Sequence, residues 1–135
     1  MARDLQLVPE TTIGAAVTFI GGVHNLPEKV SSLSVQAVFV RAAGGTDVDV
    51  YVQTTIDGGA TWIDIIQFHF LTTTATKISS VREATAVAAA IVPTDGTLGN
   101  DTIVDGVLGD RLRVKVQTTG TYTGATTIEV TATYG

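Results

Sequence analysis

Asp57 and Trp62 stand on either side of a Gly-Gly corner in TTIDGGATWIDI, Thr54 to Ile65. A loop carboxylate beside an indole could serve as an acid in glycoside chemistry, hold a sugar against the ring, or tie a turn to itself. Other reactive groups are few. His24 lies in the polar connection HNLPEKVSS, and His69 sits between Phe68 and Phe70 at a parity that points it away from both. With no cysteine, neither a disulfide framework nor a thiolate metal site can form. No nucleophile elbow, P-loop, dinucleotide fingerprint or H-E-x-x-H motif is present. The thirteen acids contain no pair that spacing marks as acid and base, so no catalytic residue is assigned and an enzyme is not expected.

Three further groupings bear on binding chemistry. Asp95, Asn100, Asp101, Asp105 and Asp110 supply oxygens of the kind Ca²⁺ takes, but their spacing matches no EF-hand and Asp-Gly pairs also serve plain turns. No metal or other cofactor is assigned. Asn100-Asp101-Thr102 fits a glycosylation sequon and is read as polar loop. Arg111, Arg113 and Lys115 line one strand face, yet they lack interleaved aromatics and the chain carries a formal charge of −5, which argues against nucleic acid. Glu129 is expected to pair across with Arg113 or Lys115, with Asp49 and Asp64 at the matching sites of the other hairpin.

The elements that must position these groups are strands. Val, Thr, Ala and Gly dominate, a composition that suits half-buried pleated surfaces, and 135 residues fit one domain. The expected fold is an all-β, single-domain antiparallel β-sandwich, jelly-roll or immunoglobulin-like, with about eight strands. Residues 1–11 carry charge and a Pro without sustained alternation and read as an N-terminal arm, ahead of a first strand at Thr12 to Ile20. SLSVQAVFVRA from Ser32 alternates, as does VDVYVQTT, with Val48, Val50 and Val52 inward. Ile63 and Ile65 share one parity while Ile66, Phe68 and Phe70 share the other, which predicts a β-bulge near Ile65 and Ile66. Thr74 to Val81 is a further strand. EATAVAAAIV suits strand or a short helix, and strand is favoured. Pro93 to Asp110 is a long loop, followed by the alternating RLRVKVQTT and ATTIEVTATY.

Val50 to Ile65 and Val114 to Val130 repeat one pattern, V-x-V-Q-T-T, a Gly-bearing turn, then G-A-T-x-I-acid-aliphatic, read as corresponding hairpins of two sheets. The second copy lacks a carboxylate in its turn. Thr55, Asp57, Gly59, Thr61 and Trp62 resemble the Asp-box, S/T-x-D-x-G-x-T-W/F, over eight residues. That resemblance implies a structural hairpin in which the Asp ties back to turn amides, outside any active site. A carbohydrate-binding reading would use Trp62 and Tyr51, with Tyr122 as a third aromatic.

VYVQTTIDGGATWIDI, together with PTDGTLGNDTIVDGVLGDRLRVKVQTTGTYTGATTIEV, is similar in pattern to small β-sandwich virion proteins of tailed bacteriophages. The resemblance spans roughly the last two-thirds of the chain. It implies a capsid decoration or cement protein on the major capsid protein lattice, or else a head-tail connector or tail component. Partners would then be virion proteins and further copies of the chain, with no nucleic acid. No apolar h-region opens the chain and no apolar run reaches membrane-spanning length, so membrane is not expected and the product would be made in a host cytoplasm and end in the virion. Segments without strand alternation, Met1 to Thr11 and Pro93 to Asp110, are the expected lattice contacts, with Arg3, Asp4, Leu5, Leu7, Val104, Val107 and Leu108 as candidate interface residues.

Overall fold

Apolar residues at every second position fix which side of each strand is buried, and the computed structural model, which describes residues 3–26 and 29–135, is all-β. Its strands are β1 (Arg3–Thr12), β2 (Thr18–Ile20), β3 (His24–Asn25), β4 (Ser32–Val40), β5 (Ala43–Gly44), β6 (Asp47–Thr55), β7 (Ile63–Phe70), β8 (Ala75–Arg82), β9 (Arg111–Thr119), β10 (Tyr122–Thr123) and β11 (Thr127–Tyr134). No helix occurs among the described residues. One sheet runs β1-β11-β4-β8; the other runs β2-β9-β6-β7, with β3 also on β9; β5 and β10 form a small third pair. All pairings are antiparallel.

The core lies between the two main sheets. Leu33, Val35, Ala37 and Phe39 of β4 and Ile128, Val130 and Ala132 of β11 face Val48, Val50 and Val52 of β6 and Leu112, Val114 and Val116 of β9. The ladder between β6 and β7 steps from Val52 opposite Ile66 to Gln53 opposite Asp64, leaving Ile65 as the extra residue. This is the bulge that the parity shift required, and it lets Ile63, Ile65, Ile66, Phe68 and Phe70 all be buried.

Several sequence expectations need correction. Among the described residues eleven strands occur; β3, β5 and β10 are two-residue pieces too short to show a period, and the eight longer ones agree with the number expected. The arm expected over residues 1–11 is, from Arg3 onward, an edge strand paired with β11. Two register shifts, between Gln6 and Val8 and between Val8 and Thr11, break its alternation, so that consecutive Leu7 and Val8 are both buried. Pro9 falls at the irregular stretch, where an edge strand tolerates a missing N–H. The strand expected over Thr12 to Ile20 is only β2, preceded by a turn that leads from one sheet to the other. EATAVAAAIV forms neither strand nor helix.

The second repeat is not a hairpin. β9 and β11 lie in opposite sheets, so Glu129 stands opposite Val38 of β4 and does not pair with Arg113 or Lys115. Tyr122, in the link between them, explains the divergence. Its ring is buried against Phe39, edge-on at 5.6 Å, and its hydroxyl donates to the Leu71 carbonyl at 2.8 Å. Gly45 admits the ring, since a Cβ there would lie 2.0 Å from Tyr122 Cε1. An aromatic anchored this way pulls the link across the end of the sandwich, where the Asp-Gly-Gly corner turns its chain straight back.

An edge strand with a core leucine has a different mutational signature from a free arm. Leu7→Ala should cost about 2–5 kcal/mol in urea unfolding, whereas Asp4→Ala, at an exposed position, should stay within about 0.5 kcal/mol. A detachable arm would leave both variants at the parent midpoint.

Candidate functional site

The outward side of β9, β6 and β7 is polar by parity, yet Tyr51, Gln53, Asp64 and Gln67 there are buried. The loop of residues 93–110 covers them. Its main chain docks on the open edge of β7: the Asp64 N–H donates to the Thr94 carbonyl, the Gln67 N–H to the Thr102 carbonyl, and the Val104 N–H to the Ile65 carbonyl. An isolated bridge joins Ile66 and Ile103. A loop of this length is thereby held almost as a part of the sheet.

Asp64 is the centre of the arrangement. Only 1 % exposed, its carboxylate accepts from the backbone N–H groups of Gly96 at 2.8 Å, Thr97 at 3.1 Å and Leu98 at 3.2 Å. The Thr94 hydroxyl and Gln53 Nε2 each donate to it at 2.8 Å. Successive amides converging on one anion form a nest. Gly96 makes the nest possible with φ of +92°, and a Cβ there would come within 2.6 Å of Gln117 Nε2.

Around this nest the remaining charges interlock. Asp95 takes Gln53 Nε2 at 2.7 Å and Lys115 at 3.3 Å, with Arg113 at 3.4 Å. Arg113 Nε donates to Gln53 Oε1 at 2.7 Å, and its guanidinium lies 4.3 Å from the Trp62 ring centre. Farther along, Asp49 holds His69 Nδ1 and accepts from Gln67 Nε2 at 2.8 Å. Asp101 accepts from the His69 N–H at 3.0 Å and from Lys77 at 2.9 Å. Asp105 accepts from the Arg82 N–H at 2.6 Å and from the Thr85 hydroxyl at 2.9 Å. Among the described residues no buried side-chain nitrogen or oxygen lacks a partner.

The Asp-Gly-Gly corner is fastened in the same manner. Asp57 Oδ1 accepts from the Thr61 N–H at 2.8 Å and from the Thr55 hydroxyl at 2.9 Å, while Thr55 Oγ1 accepts from the Gly59 N–H at 3.0 Å. The Thr61 amide, helped by the Thr61 and Thr55 hydroxyls, holds the Asp57 carboxyl below its usual range. Arg111 closes the corner from outside by donating to the Gly58 carbonyl at 2.7 Å. Trp62 is half-buried, with one neighbour on its face already Arg113.

These positions reorder the candidate residues. Tyr51 and Tyr122 are buried, so neither joins Trp62 in an exposed aromatic platform. The acids of the 93–110 loop are each drawn to different donors, and among the described residues no group of three or more His, Asp or Glu converges to hold a metal ion. His69 forms a pair with Asp49, and among the described residues no Ser or Thr hydroxyl is hydrogen-bonded to that imidazole. Of the expected interface residues, Leu7 and Leu108 belong to the core, Leu5 and Val107 pack against it, Val104 is half-buried and Asp4 is exposed. The side chain of Arg3 lies outside the described residues, as do Met1 and Ala2. Gln53 and Asp64, which tie the loop to the sheet, belonged to the repeated pattern but to no binding or catalytic motif; the only sign of this role was polarity at outward positions beside an unusually long loop.

Removing the central anion should release the loop. Asp64→Ala strips three main-chain amides of their acceptor and should cost about 2–4 kcal/mol, with faster hydrogen exchange confined first to Gly96, Thr97 and Leu98. Equal protection of those amides in the variant would contradict the role given to Asp64.

Acid should weaken the same braces. Burial raises the Asp95 and Asp101 pKa values, but bonds from Gln53 and Lys115 to the first, and from the His69 amide and Lys77 to the second, bring both below the usual value. The Arg82 N–H does the same for Asp105. A carboxyl whose folded pKa is depressed contributes stability above its unfolded value of 3.8 and loses it as pH falls through the folded value. The urea midpoint should therefore hold nearly level from neutrality to about pH 5 and fall steadily below about pH 4. A midpoint that rises on acidification would contradict these assignments. Compared with models of known protein families and with characterised proteins, the chain matches none.

Proposed function

We propose that this chain is a non-enzymatic structural protein of a tailed-bacteriophage virion, and within that class a capsid decoration or cement protein bound to the major capsid protein lattice. A head-tail connector or tail component is the alternative within the same class. The observation that carries the reading is the use made of the acids. Asp57, Asp64, Asp101 and Asp105 each accept main-chain N–H groups from a segment remote from or across a turn from their own backbone. Such carboxylates are held immobile, and in Asp57, Asp101 and Asp105 the same bonds lower the pKa, which suits cross-bracing and is ill suited to proton transfer. A particle component has to keep its shape under load, and in this cysteine-free chain the hydrogen bonds of these acids would supply the bracing.

The surface offered to the lattice differs from the arm and loop first expected. Among the described residues no loop covers the outward side of β1, β11, β4 and β8. Gln6, Ser34, Gln36, Thr131 and Thr133 line a shallow depression there, together with Asp4 and the exposed Ile78. Neutral hydroxyls and carboxamides on a broad sheet can meet another protein without desolvating many charges.

Mixed with capsids of a phage that carries its gene, the purified protein should co-sediment in fixed proportion to the major capsid protein. Thr131→Arg should weaken that binding at least tenfold while leaving the urea midpoint within about 0.5 kcal/mol of the parent. Protein that stays in the supernatant at every concentration, with connector and tail fractions equally empty, would refute the virion reading.

A further inference from the structure

Three loops of this sandwich are bonded down through their main chain. The corner after β6 gives the Thr61 and Gly59 amides to Asp57 and Thr55. The turn after β1 gives the Val17 N–H to Thr118 Oγ1 and takes the Tyr122 N–H on the Gly14 carbonyl. Residues 94–104 lie along β7. The stretch ATAVAAAIVP, which follows Glu83 and ends at Pro93, is different. Every residue from Ala84 to Ala90 is exposed, and among the described residues the main chain of residues 86–93 makes no hydrogen bond.

The anchors of this strap are side chains. Thr85 Oγ1 donates to Asp105 at 2.9 Å, Val87 sits over Gly106, and Ile91 packs against the core. Ala88, Ala89 and Ala90 lie between the last two, with their main-chain donors and acceptors open to a strand laid alongside. An endoprotease holds an extended substrate by such main-chain pairing. Exposed loop segments of small residues are also where folded chains are nicked most readily.

Selectivity follows from the side chains. Residues 84–94 include no Lys, Arg or aromatic, so a protease whose S1 pocket requires a cation or a ring finds nothing there. One with a small apolar pocket finds three alanines in succession. We propose that residues 88–90 are the cleavage site of the folded chain for an endoprotease with a small apolar S1 pocket, and that the cut molecule stays whole as two interlocked pieces. The cut consumes one water at an Ala–Ala amide: the C–N bond breaks, the carbonyl carbon gains an oxygen and becomes a carboxylate, and the nitrogen becomes an ammonium. The protease supplies the nucleophile.

The interlocking comes from the strand order. The second piece carries β9, β10 and β11. β9 lies between β2 and β6, and β11 lies between β1 and β4, so each main sheet has a strand of the second piece set between two of the first. Polar bonds cross the cut as well: Asp64 holds the Gly96, Thr97 and Leu98 amides, Lys77 holds Asp101, and the Arg82 N–H holds Asp105. Removing either piece would open both sheets and the core between them. None of this rests on the virion reading.

Pancreatic elastase serves as the probe, on the intact chain in native buffer, with trypsin at matched activity as the comparison. Elastase should make its first cut between Val87 and Ile91, located by the masses of the two fragments, at least tenfold faster than trypsin cuts the chain anywhere. The fragments should co-elute at the parent's volume in size-exclusion chromatography and separate only in denaturant. Ala89→Lys, at an exposed position, should leave the urea midpoint unchanged and bring a trypsin cut to residue 89. Leu7→Ala, which lowers global stability, should leave the elastase rate within about twofold, because the strap is reached without global unfolding. Folded protein that resists elastase, a first cut elsewhere, Ala89→Lys protein that resists trypsin at that bond, an elastase rate that climbs with the destabilisation of Leu7→Ala, or pieces that part without denaturant would overturn the proposal.

Discussion

A carboxylate with almost no access to water has to be compensated, and the compensation of Asp64 organises half of this molecule. Removing an ion of that size from water costs several kcal/mol even after relaxation. Five donor groups offset the cost here: three consecutive amides, one hydroxyl and one carboxamide. The amides come from a segment about thirty residues away in sequence, so satisfying the charge also closes a long loop. Once Gly96 is fixed, the neighbouring Asp95 lies within reach of Lys115 and Arg113, and Arg113 is set against Trp62. The loop, the polar face of the sheet and the Asp-Gly-Gly corner thus form one connected polar network, in which each bond depends on the positions fixed by the others.

The same loop also manages the liability of an open sheet edge. β7 ends its sheet, and its outward N–H and C=O groups would invite another strand. Residues 94–104 occupy that edge with three main-chain bonds and a bridge. At β8 the Arg82 amide is taken by Asp105, and Lys77 is drawn to Asp101 and the His69 carbonyl. At that end of β8 a main-chain N–H is thus met by an acid of the loop rather than by another strand. The result is a molecule with one sheet sealed and the other sheet bare on its outward side, an asymmetry that a symmetric reading of two equivalent hairpins does not contain.

What could be read in the sequence was whatever obeyed a period of two. β4, β9 and β11 alternate in burial along their length, and the single shift of parity between Ile65 and Ile66 was enough to locate a bulge. β1 was illegible because its two irregularities put Leu7 and Val8, neighbours in sequence, on the same buried side. Asp64 was illegible for a different reason. A polar residue at an outward position normally faces water, and nothing local distinguishes it from Asp49 or Glu129; its environment is created by Gly96 to Leu98, whose own spacing has no regularity. EATAVAAAIV misled in the opposite direction, since its alanines and valines satisfy propensities for two structures and the chain uses neither. Propensity is overridden there by Thr85 and Thr94, which are tied to Asp105 and Asp64 and hold the segment across an edge.

The repeated phrases show how little separates a sealed face from an open one. Asp64 and Glu129 occupy equivalent places, each one residue after an isoleucine that packs into the core, and each points outward from its sheet. Asp64 belongs to a hairpin whose corner is closed by its own Asp57, so β7 stays beside β6 at the rim of the sheet, where the loop can reach it. Glu129 follows a link that Tyr122 carries across the sandwich, and β11 is consequently inserted between β1 and β4. Flanked on both sides, β11 has no free edge on which a loop could dock, and among the described residues Glu129 accepts no hydrogen bond. The difference between the two faces follows from the turn chemistry: a carboxylate that fastens a corner keeps one strand at an edge, while a buried tyrosine carries the other to the interior of its sheet.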